Sequence, residues 1–149
     1  MRFSSVGKPN FRTSDSGLLL DSFAHDRVLE LFCIEKSDGR LEWRSTSGAH
    51  MALLLGGIEL YKVRDLGVGA ILSEIYVWPV AAVPESSWLV PDSVWGLIFE
   101  NDYSGGDAKS AVAGLQRLRP DLWAVQVGFS YGGAMAFVCE ELNLVKGLL

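Results

Sequence analysis

The sequence predicts an α+β domain, mainly an antiparallel sheet of about six to seven strands with one clear helix near residues 107–119. Three observations carry this. Short apolar runs alternate with polar residues at period two over much of the chain. Gly and Pro punctuate those runs at turn spacing. A single stretch, Ala108, Ala111, Val112, Leu115 and Leu118, repeats at helical spacing.

The elements follow in order. Residues 1–20 are polar and show no sustained period, so they are expected to form a flexible N-terminal arm, with residues 21–149 as one domain. Val28 to Glu35 is rich in β-branched and aromatic types, and Ser37-Asp38-Gly39 supplies a D-G turn. Leu41 and Trp43 alternate with Glu42 and Arg44 on the return, predicting a hairpin near 28–46. Met51 to Val63 reads as strand broken by Gly56-Gly57, with Ile58, Leu60 and Lys62 on one face. Ala70 to Trp78 reads as another, with Ile71, Ile75 and Val77 together. Pro79, Pro84 and Pro91 bracket an irregular stretch, because proline cannot donate to a ladder. Val94 to Phe99 is expected as a strand. Asp107 caps the helix, Arg117 and Arg119 suit its C-terminal dipole, and Pro120 ends it.

The last segment supports two readings. Trp123, Val125, Val127, Phe129 and Tyr131 alternate with Leu122, Ala124, Gln126, Gly128 and Ser130 as a half-buried strand. After Gly132-Gly133, residues 134–145 fit a helix imperfectly, since Glu141 falls in the apolar stripe, and fit a second strand better. A terminal hairpin is the preferred reading.

Composition bounds the function. A chain of 149 residues forms one domain able to bury roughly 70% of its unfolded surface. Apolar residues are 49% and charged residues 21%, which excludes a disordered class. Two cysteines, Cys33 and Cys139, are too few to staple a secreted domain, and each lies in an apolar run, so both are expected as reduced core residues. With no secretory signal pattern, a cytoplasmic setting is expected. No apolar run approaches the ~20 residues of a membrane helix, so no membrane partner is expected.

The whole net charge of −5 arises after residue 50. Asp65, Glu74, Glu85, Asp92, Glu100, Asp102 and Asp107 lie in a stretch without Lys or Arg. Such a segment repels nucleic acid and steers a basic protein. Aromatic residues in the same stretch supply anchoring area. Trp78 and Trp95 read as core, whereas Trp88 in its proline-bounded loop reads as an exposed anchor. The expected partner-binding set is therefore Glu85, Trp88, Asp92, Asp102, Tyr103 and Asp107.

Catalytic and metal chemistry find less support. Gly128-Phe129-Ser130-Tyr131-Gly132 has the G-x-S-x-G pattern, and Val127 to Phe137 resembles the nucleophile elbow of α/β-hydrolase thioesterases. That resemblance implies Ser130 as nucleophile and the Tyr131 amide in an oxyanion hole. It covers eleven residues, and no Asp or His follows Ser130. His25 and His50 read as turn or surface residues. A serine hydrolase fragment using Ser130 is thus the alternative, and no catalytic residue the primary reading. Glu100, Asn101, Asp102, Ser104 and Asp107 gather oxygen atoms but miss the EF-hand spacing, and no Cys/His spacing suits zinc, so neither metal nor cofactor is expected.

The order of features resembles a diffuse group of small bacterial proteins, some encoded beside toxins as immunity proteins. The similarity rests on Ser22-Phe23-Ala24-His25-Asp26, the strand from Gly57 to Val63, the turn near Gly67, Ala70 to Val77 and the closing Phe129-Ser130-Tyr131-Gly132 hairpin. It implies an antiparallel α+β fold and a non-enzymatic role. Together these readings predict a protein-binding domain that neutralises a basic toxin through an acidic surface. A mean hydropathy of +0.22 adds a self-associating subunit, such as a homodimer, as a further alternative.

Overall fold

Six strands form one antiparallel sheet in the computed structural model, which describes residues 9–67, 69–100 and 106–147. They are β1 (Leu31–Glu35), β2 (Asp38–Arg44), β3 (His50–Arg64), β4 (Leu72–Pro79), β5 (Trp123–Phe129) and β6 (Ala134–Lys146), with helices α1 (Val94–Ile98) and α2 (Gly106–Leu118). The spatial order is β1-β2-β3-β6-β5-β4. The fold is therefore α+β and mainly β, as the alternation predicts, and α2 falls where the apolar repeat places it.

The first hairpin forms, but its turn is Lys36-Ser37, flanked by the pair Glu35 and Asp38. Lys36 takes the positive φ of 58°. Asp38 and Gly39, expected in the turn, begin β2 instead. Asp38 Oδ1 accepts a bond from the Gly57 amide at 3.2 Å, and a Cβ on Gly39 would lie 3.0 Å from the Ile58 side chain. Both residues are held by β3 rather than by the turn.

Gly56 and Gly57 do not break β3. The strand runs fifteen residues and absorbs a bulge between Ile58 and Leu60, with Gly57 at φ 63°. The bulge flips the pleat. Ile58 packs with the first core cluster and Leu60 with the second, so the two share no face.

Residues 9–20 are no loose arm. Leu19 is buried, Phe11 packs edge-on to Trp123 at 5.1 Å, and Leu18 bridges to Tyr76. The Leu19 amide bonds to the Ile75 carbonyl and the Val77 amide to that of Gly17, both at 2.8 Å. Gly17 sits where any Cβ would strike the Trp78 indole. Further on, Val28 bridges to Ile71, so residues 17–29 cover the outer edge of β4 before the chain enters β1. Isolated bridges need no period, which is why the sequence pattern missed them.

Both faces of the sheet are buried. Leu41, Trp43, Leu53, Val125 and Phe137 fill one core; Val80, Trp88, Trp95, Val112 and Val138 fill the other beneath α2. Residues 134–139 of β6 are buried without a gap because neighbouring side chains enter opposite cores. That explains the weak helix signal there. The preferred hairpin of β5 and β6 is what forms.

Val94 to Phe99 is helix rather than strand. A six-residue apolar run does not distinguish the two. Here Ser93 has extended geometry at the N-cap, and the Trp95 amide bonds to the buried Ser87 hydroxyl at 2.9 Å. Gly96 lets the helix pack on residue 90, since a Cβ there would lie 2.0 Å from the Val90 carbonyl oxygen.

Candidate functional site

The end of the sheet where β3 finishes gathers three segments: Arg64 to Leu66, the 89–92 loop, and the β5–β6 turn. Arg64 joins them. Its guanidinium ion-pairs with Asp92, donates from Nη1 to the Pro91 carbonyl at 3.3 Å and lies 3.7 Å from Glu100. Arg64 also pairs in register with Ala134, just after the turn. Gly133, at φ 92°, passes so close that a Cβ would sit 2.9 Å from the Asp65 carbonyl oxygen.

Four apolar side chains stand in solvent on these segments. Leu89 is 84% and Tyr131 89% exposed, and Leu66 and Val90 are exposed as well. Single exposed apolar residues are ordinary, but four on segments tied together at one end of a sheet mark a surface that can be covered. Asp65 and Asp92 border them in sequence and are themselves exposed.

The expected binding residues divide. Glu85 and Asp107 are exposed, Glu85 in a 3-10 turn four residues before Leu89 and Asp107 in the first turn of α2. Asp92 is present at the site but paired to Arg64. Asp102 and Tyr103 lie outside the described residues. Trp88 is a correction: it is 6% exposed, with its ring 5.7 Å from Phe99 and 6.2 Å from Trp95, and Lys109 Nζ lies over it at 5.8 Å. The loop folds its tryptophan inward and turns Leu89 and Val90 out.

The acidic stretch is also less bare in space than in sequence. Lys62 Nζ lies 3.0 Å from Glu100, and Arg64 neutralises Asp92. The Lys62 hydrogen bond holds the Glu100 carboxyl below its usual range against an opposing desolvation, with smaller help from the Lys62 and Arg64 charges. Glu74 accepts the Tyr76 hydroxyl at 2.6 Å, which raises the tyrosine's pKa.

Ser130 sits in the β5–β6 turn, exposed, between two antiparallel strands. A nucleophile elbow instead joins a strand to a helix. The Ser130 amide bonds to the Ile71 carbonyl at 2.9 Å. His25 Nδ1 is engaged by the Ser73 carbonyl at 3.0 Å, and His50 Nε2 by Glu42 at 2.5 Å. A shallow groove of about 370 Å³ takes in His25 and Glu74 but not Ser130. Among the described residues no cluster of three or more His, Cys, Asp or Glu is placed to hold a metal ion, and no helix is long and apolar enough to cross a membrane.

Leu66, Leu89 and Val90 are not singled out by the sequence, and Tyr131, which the alternation carries into the strand, lies beyond its end in the β5–β6 turn. A large aromatic inside Ser-Tyr-Gly-Gly, and an apolar pair directly before Pro91, are signals that could have found them. Comparison with protein-family models, curated proteins and solved structures finds no match to this chain.

Proposed function

We propose that this chain is a non-catalytic protein-binding domain that seats a basic partner protein, of the kind an immunity protein neutralises in a toxin, on the end of the sheet bearing Leu89 and Tyr131. The exposure of these two side chains beside Leu66 and Val90 carries the reading. Apolar anchors near the centre of a patch supply most binding energy once water is excluded. The exposed carboxylates of Asp65, Glu85 and Asp107 add attraction for a basic partner, which speeds encounter more than it tightens the complex. A bound partner would have its own functional surface occluded.

The test uses the product of the gene adjacent to this reading frame, with binding followed calorimetrically. Leu89→Ser and Tyr131→Ser are each expected to weaken binding about tenfold or more, that is by at least ~1.4 kcal/mol. Glu85→Lys is expected to slow association and flatten its salt dependence. Binding indifferent to all three substitutions would refute the assignment.

A further inference from the structure

Among the described residues, no further strand pairs with the outer edge of β1. Leu31 to Glu35 pair with β2 on one side, and on the other side the described residues offer this strand no backbone hydrogen bond. The hairpin fixes which groups face outward. The pair flanking a two-residue turn, Glu35 and Asp38, exchanges backbone bonds with each other, and so by alternation does Cys33 with Arg40. The N–H and C=O groups of Phe32 and Ile34 then point away from β2. An exposed edge of this kind is a template for a further strand.

We infer that β1 is a self-association edge, on which two copies of this chain pair antiparallel about a two-fold axis through Cys33. Phe32 of each copy then exchanges backbone hydrogen bonds with Ile34 of the other. A two-fold contact must be complementary to itself, and the sequence around β1 is. With Cys33 facing its own copy, Leu31 faces Glu35 and Glu30 faces Lys36. The last match sets opposite charges together twice per dimer. Lys36 is exposed at the turn and has no ion pair among the described residues, while Glu30 is held by Arg44 at 3.3 Å on the adjacent strand. Sliding the register toward the N-terminus would run the added strand into residues 26–29, whose edge is already bonded to the start of β4. Sliding it toward Glu35 would remove the Glu30–Lys36 match.

The arrangement marks itself chemically. Cys33 is exposed, and in this register the two copies of it form a non-hydrogen-bonded pair. Their Cα atoms would be about 4.5 Å apart, within the span a disulfide bridges. The surface lies on a different strand and a different end of the chain's charge pattern from the Leu89–Tyr131 patch, so the two readings stand or fall separately.

Sedimentation of the full chain over a concentration series, under reducing conditions, tests the inference. The mass is expected to rise from 16.3 kDa toward twice that value. Lys36→Glu is expected to weaken the dimer about tenfold, and adding Glu30→Lys to recover most of the loss. Diamide should convert the dimer to a disulfide-linked species, two thiols giving up two electrons and two protons to the diamide, and Cys33→Ser should abolish that product. A single monomeric mass at every concentration would overturn the inference. So would a dimer indifferent to Lys36→Glu, or an oxidised dimer that persists in Cys33→Ser.

Discussion

Arg64 on β3 ion-pairs with Asp92, twenty-eight positions further along a stretch that contains no basic residue of its own until Lys109. The pair fastens the 89–92 loop to the end of the sheet, and the bond from Arg64 to the Pro91 carbonyl reinforces it. Both side chains keep substantial contact with water, so the ion pair itself contributes little, on the order of 0.2–1 kcal/mol. Arg64→Met is expected to cost about 1 kcal/mol in urea denaturation and to raise the mobility of Leu89 and Val90, read as faster amide exchange in that loop. Unchanged exchange there would show that the loop is held by Trp88 alone.

Acid should weaken the same corner. Glu100 has its carboxyl held below the ordinary value, first by the Lys62 hydrogen bond and then by Lys62 and Arg64 charge. A group whose folded pKa is depressed stabilises the native state above its unfolded pKa and loses that contribution as pH falls through the folded one. Unfolding midpoints should therefore drop on acidification from the ordinary carboxylate range downward, and Lys62→Met should make that drop shallower. A chemical-shift titration of the Glu100 carboxyl, moving toward its ordinary value in Lys62→Met, checks the cause.

Trp88 and Leu89 are neighbours with opposite fates, and their substitutions should separate folding from binding. Trp88 stacks among Trp95 and Phe99, so Trp88→Ala should destabilise by about 3–5 kcal/mol through lost burial and a cavity. Leu89 is 84% exposed, so Leu89→Ser should change stability by no more than about 0.5 kcal/mol. Thermal midpoints of the two variants provide the comparison.

That contrast also shows where sequence reasoning reaches. Period-two alternation located the β1–β2 hairpin and the β5–β6 hairpin, and the apolar repeat located α2, because each is set by local residues facing one core. The pattern weakens where two cores share an element. In β6, Phe137 and Val138 are both buried, on opposite faces, and the alternation disappears. It also fails where a distant partner decides. Ser87 holds the start of α1, Trp78 requires Gly17, and Arg64 neutralises Asp92, and none of these pairings leaves a periodic trace. The acidic stretch was legible as composition; its partial compensation by β3 was not. A proline-bounded loop predicts an exposed Trp88, whereas this loop closes over its own tryptophan.

Ser130 is expected to behave as a turn hydroxyl. It stands between antiparallel strands, and both histidines are engaged elsewhere. Ser130→Ala should leave the unfolding free energy within about 0.5 kcal/mol of wild type. A fluorophosphonate probe should leave the native chain unlabelled; labelling that Ser130→Ala removes would establish a nucleophile and displace the binding proposal.

The two cysteines should differ as sharply as the tryptophan and leucine do. Both are free, but Cys33 is exposed on β1, against the expectation that it is core, while Cys139 is fully buried on β6. Burial, followed by the nearby charges of Glu140 and Glu141, pushes the Cys139 thiol up from 9.0 to about 12. Since the thiolate is the reactive form, a thiol reagent at neutral pH should modify Cys33 alone in the native protein and both residues in denaturant. The same shift sets an alkaline limit. The folded state keeps a proton that the unfolded chain releases near pH 9, so the stability this thiol contributes is complete below that value and is lost as pH rises toward about 12. Cys139→Ala should flatten that alkaline decline while costing some core packing at neutral pH. Equal modification of both thiols in the native state would mean that β6 opens far more readily than its two-sided burial allows.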